Sequence, residues 1–203
     1  MINKKMILDT ITKDILEIRL HGRGGQGVVI ASKILAKAFH QDGYIPQTFP
    51  KYGVERRGAP AAAFVRVAKG KNLIGIRCEI YEPDHLIILD PTLISAINIT
   101  QGLKKGGWII INASAGHEAD FSELQRHYRV AIVDASKVAF EHRLGSRTSP
   151  VVNSAILGGF AKVYQKPSIS SILEAIRNEV PIKPDENAAA ANMAYDQIKV
   201  IGD

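Results

Sequence analysis

Apolar and polar residues alternate along Ile15–Leu20 (ILEIRL), the period of a half-buried strand. After a glycine-rich stretch, Val28, Ile30, Ala31, Ile34, Leu35, Ala38 and Phe39 fall at helical spacing. That predicts a helix over Val28–His40, stopped by Gly43, and then a short strand over Tyr44–Phe49. Strand, glycine turn, helix and strand form the opening of a βαβ unit. A punctuated loop, Pro50–Pro60 (PKYGVERRGAP), follows. Beyond it, Ala62–Val67 reads as a strand and Lys69–Asn72 as a turn, with Leu73–Ile80 expected to pair back as a hairpin.

His85–Leu89 (HLIIL) is a continuous apolar run, as expected of a central parallel strand, and Trp108–Asn112 and Val130–Val133 are further strands. Asp90-Pro91 reads as an N-cap and first-turn proline opening a helix to about Gly102. A helix is expected near Phe121–His127, and Asp134 should cap another over Ser136–Arg143. The last third reads as helices over Asn153–Tyr164, Ser168–Arg177 and Pro184–Val200. The small residues of the first (ILGGFAKVY) predict close packing. The expected fold is α/β: a doubly wound, largely parallel, Rossmann-like sheet with an antiparallel edge hairpin and a helical C-terminus. Residues 1–14 read as an N-terminal extension and 15–203 as one domain.

Composition narrows the function. With 203 residues, 46% hydrophobic and 23% charged, the chain can bury a core without covalent staples. Its single cysteine, Cys78, excludes an internal disulfide and any cluster held by four thiolates of this chain alone. Cys78 itself reads as a partly buried strand residue. The net charge of +6 is dispersed, and Arg56-Arg57 is too short a run to track phosphates, so nucleic acid is not an expected partner. No apolar run reaches the roughly 20 residues of a membrane helix. The start MINKKMILDTITKD has no signal-peptide core, which points to a cytoplasmic home.

The chemistry-bearing candidate is His21-Gly22-Arg23-Gly24-Gly25-Gln26-Gly27, which satisfies G-x-G-x-x-G between a strand and a helix. Backbone N–H groups at such a helix start suit an anion, which suggests a dinucleotide site. Against NAD, the second strand ends Pro46-Gln47-Thr48-Phe49-Pro50, with no carboxylate for the ribose. Arg56 and Arg57 would suit a 2′-phosphate, so a stand-alone NAD(P)-binding protein stays open. So does a purely structural turn. Asp90 and Asp134 are explained by capping. Of the six histidines only His21 borders the turn, and none has metal-ligand spacing.

Two segments taken together, HGRGGQGVVIASKILAKAF (21–39) and FPKYGVERRGAPAAAFVRV (49–67), resemble the γ subunit of the 2-oxoacid:ferredoxin oxidoreductases, the pyruvate/ketoisovalerate family. EPDHLIILD fits the same pattern, and the resemblance runs from Ile15 to about Val200. It implies a complex that converts a 2-oxoacid and coenzyme A to acyl-CoA and carbon dioxide while reducing ferredoxin. Thiamine diphosphate, Mg and iron–sulfur clusters would lie on α, β and ferredoxin-like δ partners, with none held by this chain and no catalytic residue supplied by it. The glycine loop Arg23, Gly24, Gly25, Gln26 and Gly27 would face a partner or coenzyme A, with Arg23 as the direct cationic contact. Tyr52, Glu55, Arg56, Arg57 and Gly58 would form a subunit interface or active-site rim. A pure assembly scaffold is the further alternative. A face left bare by missing partners would let the isolated chain pair with itself.

Overall fold

The computed structural model describes residues 15–51, 56–70 and 77–202. The alternating run at its start forms β1 (Ile15–Arg23), longer than the six residues the alternation marks, and Gly22 and Arg23 still belong to the strand. With β2 (Ile45–Pro50), β3 (Pro60–Ala68), β4 (His85–Ile88), β5 (Trp108–Asn112), β6 (Arg129–Val133) and, after the two-residue β7 (Gly145–Ser146) and β8 (Ser149–Pro150), β9 (Lys199–Ile201), it builds the main sheet. Its order is β2-β3-β1-β4-β5-β6-β9, with β7 and β8 pairing apart from it. β1, β4, β5 and β6 run parallel, which suits strands whose residues are apolar on both faces. β3 lies antiparallel between β1 and β2, and β9 antiparallel on β6.

The antiparallel edge is therefore present, but β3 pairs with β1 and β2. Of the strand expected over Leu73–Ile80, residues 71–76 lie outside the described residues and 77–80 are not in a strand. Ile80 is buried against Phe49 and Phe64, so this segment covers a sheet face instead of extending the edge. Cys78 is accordingly exposed, not a half-buried strand residue.

One face carries α1 (Val28–Gln41) and, after the shorter α2 (Leu93–Ala96) and α3 (Ser122–Gln125), the helices α4 (Ala135–Glu141), α5 (Ala155–Tyr164), α6 (Ile169–Glu179) and α7 (Pro184–Gln197). The other face is covered by α2, α3 and a 3₁₀ turn at Glu118–Phe121, over Leu86, Ile88, Ile109, Ile111, Val130 and Ile132. The helix expected to reach Gly102 stops at Ala96, because Ile97 turns extended (φ −141°, ψ 159°). Ile99 and Thr100, β-branched like Ile97, disfavour a restart. The last helix ends at Gln197, and the run Ile198–Ile201, β-branched except at Lys199, leaves it to form β9, a strand that helical periodicity hides. Asp134 caps α4 through Lys137 N, as its position predicts, and of the two serines at the start of α6, Ser168 and not Ser170 is the cap, through Ser171 N. The expected close packing is between α5 and α7, where a Cβ on Gly158 would strike the backbone carbonyl of Ala191.

The helix after β1 and the helix after β4 lie on opposite faces of the sheet. The β1–β4 junction is thus the switch point, outside whose carboxyl ends an open α/β sheet forms a crevice.

Candidate functional site

The glycine turn sits at that crevice. Gly25 (φ 94°) and Gly27 (φ 77°) take left-handed backbone, and Gly27 is the N-cap of α1. Gly24 is required for a different reason: a Cβ there would strike the carbonyl oxygen of Arg56. The approach is close because the two loops share main-chain bonds. Gly24 N donates to Ala59 O (2.8 Å), and Gly58 N donates to Gly24 O (3.0 Å).

Side chains complete the closure. Arg23 donates through Nε to Asp90 Oδ2 (3.2 Å), through Nη1 to Gly58 O (3.0 Å) and through Nη2 to Thr92 Oγ1 (2.7 Å). Gln26 accepts from Arg23 N at Oε1 (2.7 Å) and donates from Nε2 to Asp90 Oδ2 (2.9 Å). The other carboxylate oxygen of Asp90 accepts from Thr92 N (3.0 Å) and Thr92 Oγ1 (2.5 Å). Partial burial by itself would raise the Asp90 pKa. The hydrogen bonds from Thr92 and Gln26, then the charge on Arg23, outweigh it and hold the carboxyl below its usual range.

Arg23 therefore joins three loops, and the Gln26 amide is engaged at both ends. Arg56, Arg57 and Gly58 are exposed on the outer side of the same edge, while Tyr52 and Glu55 lie outside the described residues. Asp90 and Thr92 are the members that sequence reasoning missed as part of this cluster. The available signal was an acid at a parallel strand end beside a glycine turn, and capping explained it too readily. Asp90 is not the helix cap: Thr92 precedes α2.

His21 is buried beside the turn and accepts from Arg19 Nε (2.9 Å). Burial, with the charges of Arg19 and Lys51, pushes its pKa down to about 3, so it stays neutral. Arg19 also donates to the Ile80, Ile99 and Gln101 carbonyls, tying down the cover on that face.

A cleft of about 470 Å³ opens beside the closed junction, at the carboxyl ends of β4, β5 and β6. Thr92, Ser95, Ser114, Asp120 and Asp134 are among its lining residues, and among the described residues no lysine or arginine lines it. At its base Asn112 donates to Leu89 O (2.9 Å) and Ser136 Oγ (3.1 Å), joining the ends of two strands. An acid- and hydroxyl-lined cleft lacks the cations that a pyrophosphate calls for. The dinucleotide arrangement fails on topology too. β3 separates β2 from β1, so the end of β2 is not beside the glycine turn, where a ribose-binding acid would stand.

The family model described as pyruvate ferredoxin/flavodoxin oxidoreductase matches residues 17–197, nearly the whole described chain. The chain belongs to that family. Pyruvate synthase subunit PorC of Methanocaldococcus jannaschii is 45% identical over 184 residues, 90% of this chain and 97% of that one. The pyruvate/ketoisovalerate oxidoreductases common subunit gamma of Pyrococcus furiosus is 44% identical over 187 residues, 91% and 98% of the two chains. The crystal structure of pyruvate oxidoreductase subunit PORC from Thermotoga maritima superposes with a TM-score of 0.75 at 28% identity, covering 94% of this chain and all of that one. In this member of the pyruvate ferredoxin/flavodoxin oxidoreductase family, the glycine turn is joined to the Arg56–Ala59 loop by main-chain hydrogen bonds. Among the described residues no three His, Cys, Asp or Glu side chains group as metal ligands, and no helix is long and apolar enough to cross a membrane.

Proposed function

We propose that this chain is the γ subunit of a cytoplasmic 2-oxoacid:ferredoxin oxidoreductase acting on pyruvate or a related 2-oxoacid, and that it is inactive alone. The observation that carries the reading is the near end-to-end match to γ-type subunits. The geometry agrees with it: the crevice that would serve a nucleotide is closed by Asp90, while arginines stand exposed beside it. The complex supplies thiamine diphosphate, Mg and iron–sulfur chemistry on its α, β and ferredoxin-like δ subunits. This chain contributes a shaped edge. Arg56, Arg57 and Gly58, with Tyr52 and Glu55 of the same loop, face a catalytic partner near the thiamine and coenzyme A region. Arg23, Gly24, Gly25, Gln26 and Gly27 hold that loop in place from behind. Arg56 and Arg57 are the groups through which a coenzyme A phosphate would be reached, since Arg23 is engaged internally. Residues 1–14 are an extension to a single domain spanning 15–203.

The test is reconstitution. The chain alone gives no 2-oxoacid-dependent reduction of a viologen dye, and activity returns only with the other subunits. Turnover by the lone chain refutes the proposal. Arg56→Ala with Arg57→Ala in the assembled complex separates the roles of the edge: a raised apparent KM for coenzyme A marks ligand contact, and lost co-purification marks scaffolding. Calorimetric titration of the lone chain with NADH and NADPH gives flat traces. Sedimentation of the lone chain reads whether the bare edge pairs with a second copy.

A further inference from the structure

Away from the glycine edge, the surface around the end of α4 combines features that rarely meet on a solvated face. Five large hydrophobic side chains are exposed among the described residues, and three of them, Phe140 (54%), Val151 (39%) and Ile182 (73%), lie here. Val151 N donates to Leu144 O (3.1 Å), Arg143 N donates to Phe140 O (3.0 Å), and Lys183 Nζ donates to Arg143 O (2.7 Å). These bonds bring the α4 end, the β7–β8 hairpin and the start of α7 together. The Arg147 guanidinium lies over the Phe140 ring, 5.6 Å from its centroid. Arg143 (φ 57°) and Lys183 (φ 53°) both hold left-handed backbone, a strain that a packed surface has to maintain.

The charge balance leans positive, with Lys137, Arg143, Arg147 and Lys183 against Glu141, Asp185 and Glu186. Lys137 has Glu141 at 3.9 Å, and Asp185 is taken by Arg177 at 2.9 Å. Arg143, Arg147 and Lys183 have no carboxylate partner among the described residues. Exposed aliphatic and aromatic carbon ringed by unpaired cations is the composition of an interface with Arg and aromatic anchors.

We propose that this tip is a protein-docking surface for an acidic face of another subunit of the same complex, a proposal that rests on the γ-subunit reading. A two-fold pairing of this tip with the same tip of a second copy does not fit, because it would set unpaired cations against the same cations. Nucleic acid fits poorly as well: Arg147 already covers the one exposed aromatic ring, leaving no stacking platform, and Ile182 and Val151 interrupt the charge.

The experiment uses the complex co-expressed from the chain and its partner subunits. Zero-length carbodiimide coupling, which joins amines to carboxylates, should link Lys183 or Lys137 to an Asp or Glu of a partner subunit. Arg143→Glu with Arg147→Glu should lower assembly on the order of tenfold at moderate salt, and rising salt should weaken the wild type toward it. Phe140→Ser with Ile182→Ser should weaken assembly without changing its salt dependence. Lys105→Glu, an exposed reversal elsewhere, should do nothing. Circular dichroism of each variant confirms a wild-type fold. If wild type and both double variants assemble alike and no such link forms, the proposal is overturned and the γ reading stands. If the wild type does not assemble at all, both fall. Self-association, or binding to a random DNA duplex, that the reversal abolishes while leaving assembly intact also overturns it.

Discussion

Asp90→Ala tests the closure of the β1–β4 junction directly. The carboxylate, 14% exposed, is the shared acceptor of four donors: Arg23 Nε, Gln26 Nε2, Thr92 N and Thr92 Oγ1. Arg23 is 31% exposed and regains water when released, so its ion pair is worth no more than about 1 kcal/mol. The less exposed Gln26 amide loses an acceptor worth about 1 kcal/mol, and the Thr92 turn loses a further ~0.5–1 kcal/mol. The sum is about 1.5–3 kcal/mol. For a chain of this length that lowers the midpoint of thermal unfolding by roughly 3–12 °C. Asp90→Asn keeps one acceptor oxygen but turns an amide toward other donors, and should fall between. Because the fold lowers the Asp90 pKa, its contribution is present above the unfolded value near 3.9 and is lost as pH falls through the folded one. The gap between wild type and Asp90→Asn should therefore close below about pH 4. The assay is thermal melting of the lone chain, with hydrogen exchange at the Gly58 amide reporting the loop junction. A midpoint within about 1 °C of wild type, with unchanged Gly58 protection, would refute the idea that Asp90 holds the junction shut.

Three further outcomes are expected. Gly24→Ala should cost about 1–3 kcal/mol by pushing the Arg56 carbonyl away, measured by denaturant melts; at Gly25 the nearest atom to an added Cβ is Arg57 Cγ at 3.8 Å, so Gly25→Ala should cost only the strain of its φ, about 1 kcal/mol. Gly158→Ala should be at least as damaging as Gly24→Ala, because its Cβ meets the main chain of Ala191 in a helix pair that cannot easily part. His21, with its pKa lowered to about 3, excludes a proton that the unfolded chain takes up near pH 6.5. Acidification from about pH 6.5 toward 3 should destabilise the fold by up to ~1.4 kcal/mol per unit, and His21→Gln should flatten that slope in denaturant titrations.

Most of the sheet was legible because its strands are runs of Ile, Leu and Val with one meaning on either face. β9 was not, since Lys199–Ile201 follows a helix without a break and becomes a strand only because β6 has a free edge to pair with. The helix expected after Asp90 is shorter in the structure for a similar reason: the Asp90-Pro91 signal holds as a turn, but Ile97 turns extended and ends what it starts. At the site, the glycines pointed to the correct place with an ambiguous meaning. Periodicity cannot reveal that β3 separates β2 from β1, because that depends on which strands pair across the chain. Nor can it show Arg23 reaching Thr92, 69 residues away.

The joint between the two loops has a consequence for how this edge can change. Gly24, Gly58 and Ala59 meet through peptide groups, which every residue carries, and the supporting side chains Arg23, Gln26 and Asp90 stand behind them. Contour and lettering are thereby separated. Arg56 and Arg57 can be exchanged without remaking the shape that displays them, so the exposed chemistry of this edge can change while its backbone frame stays as it is.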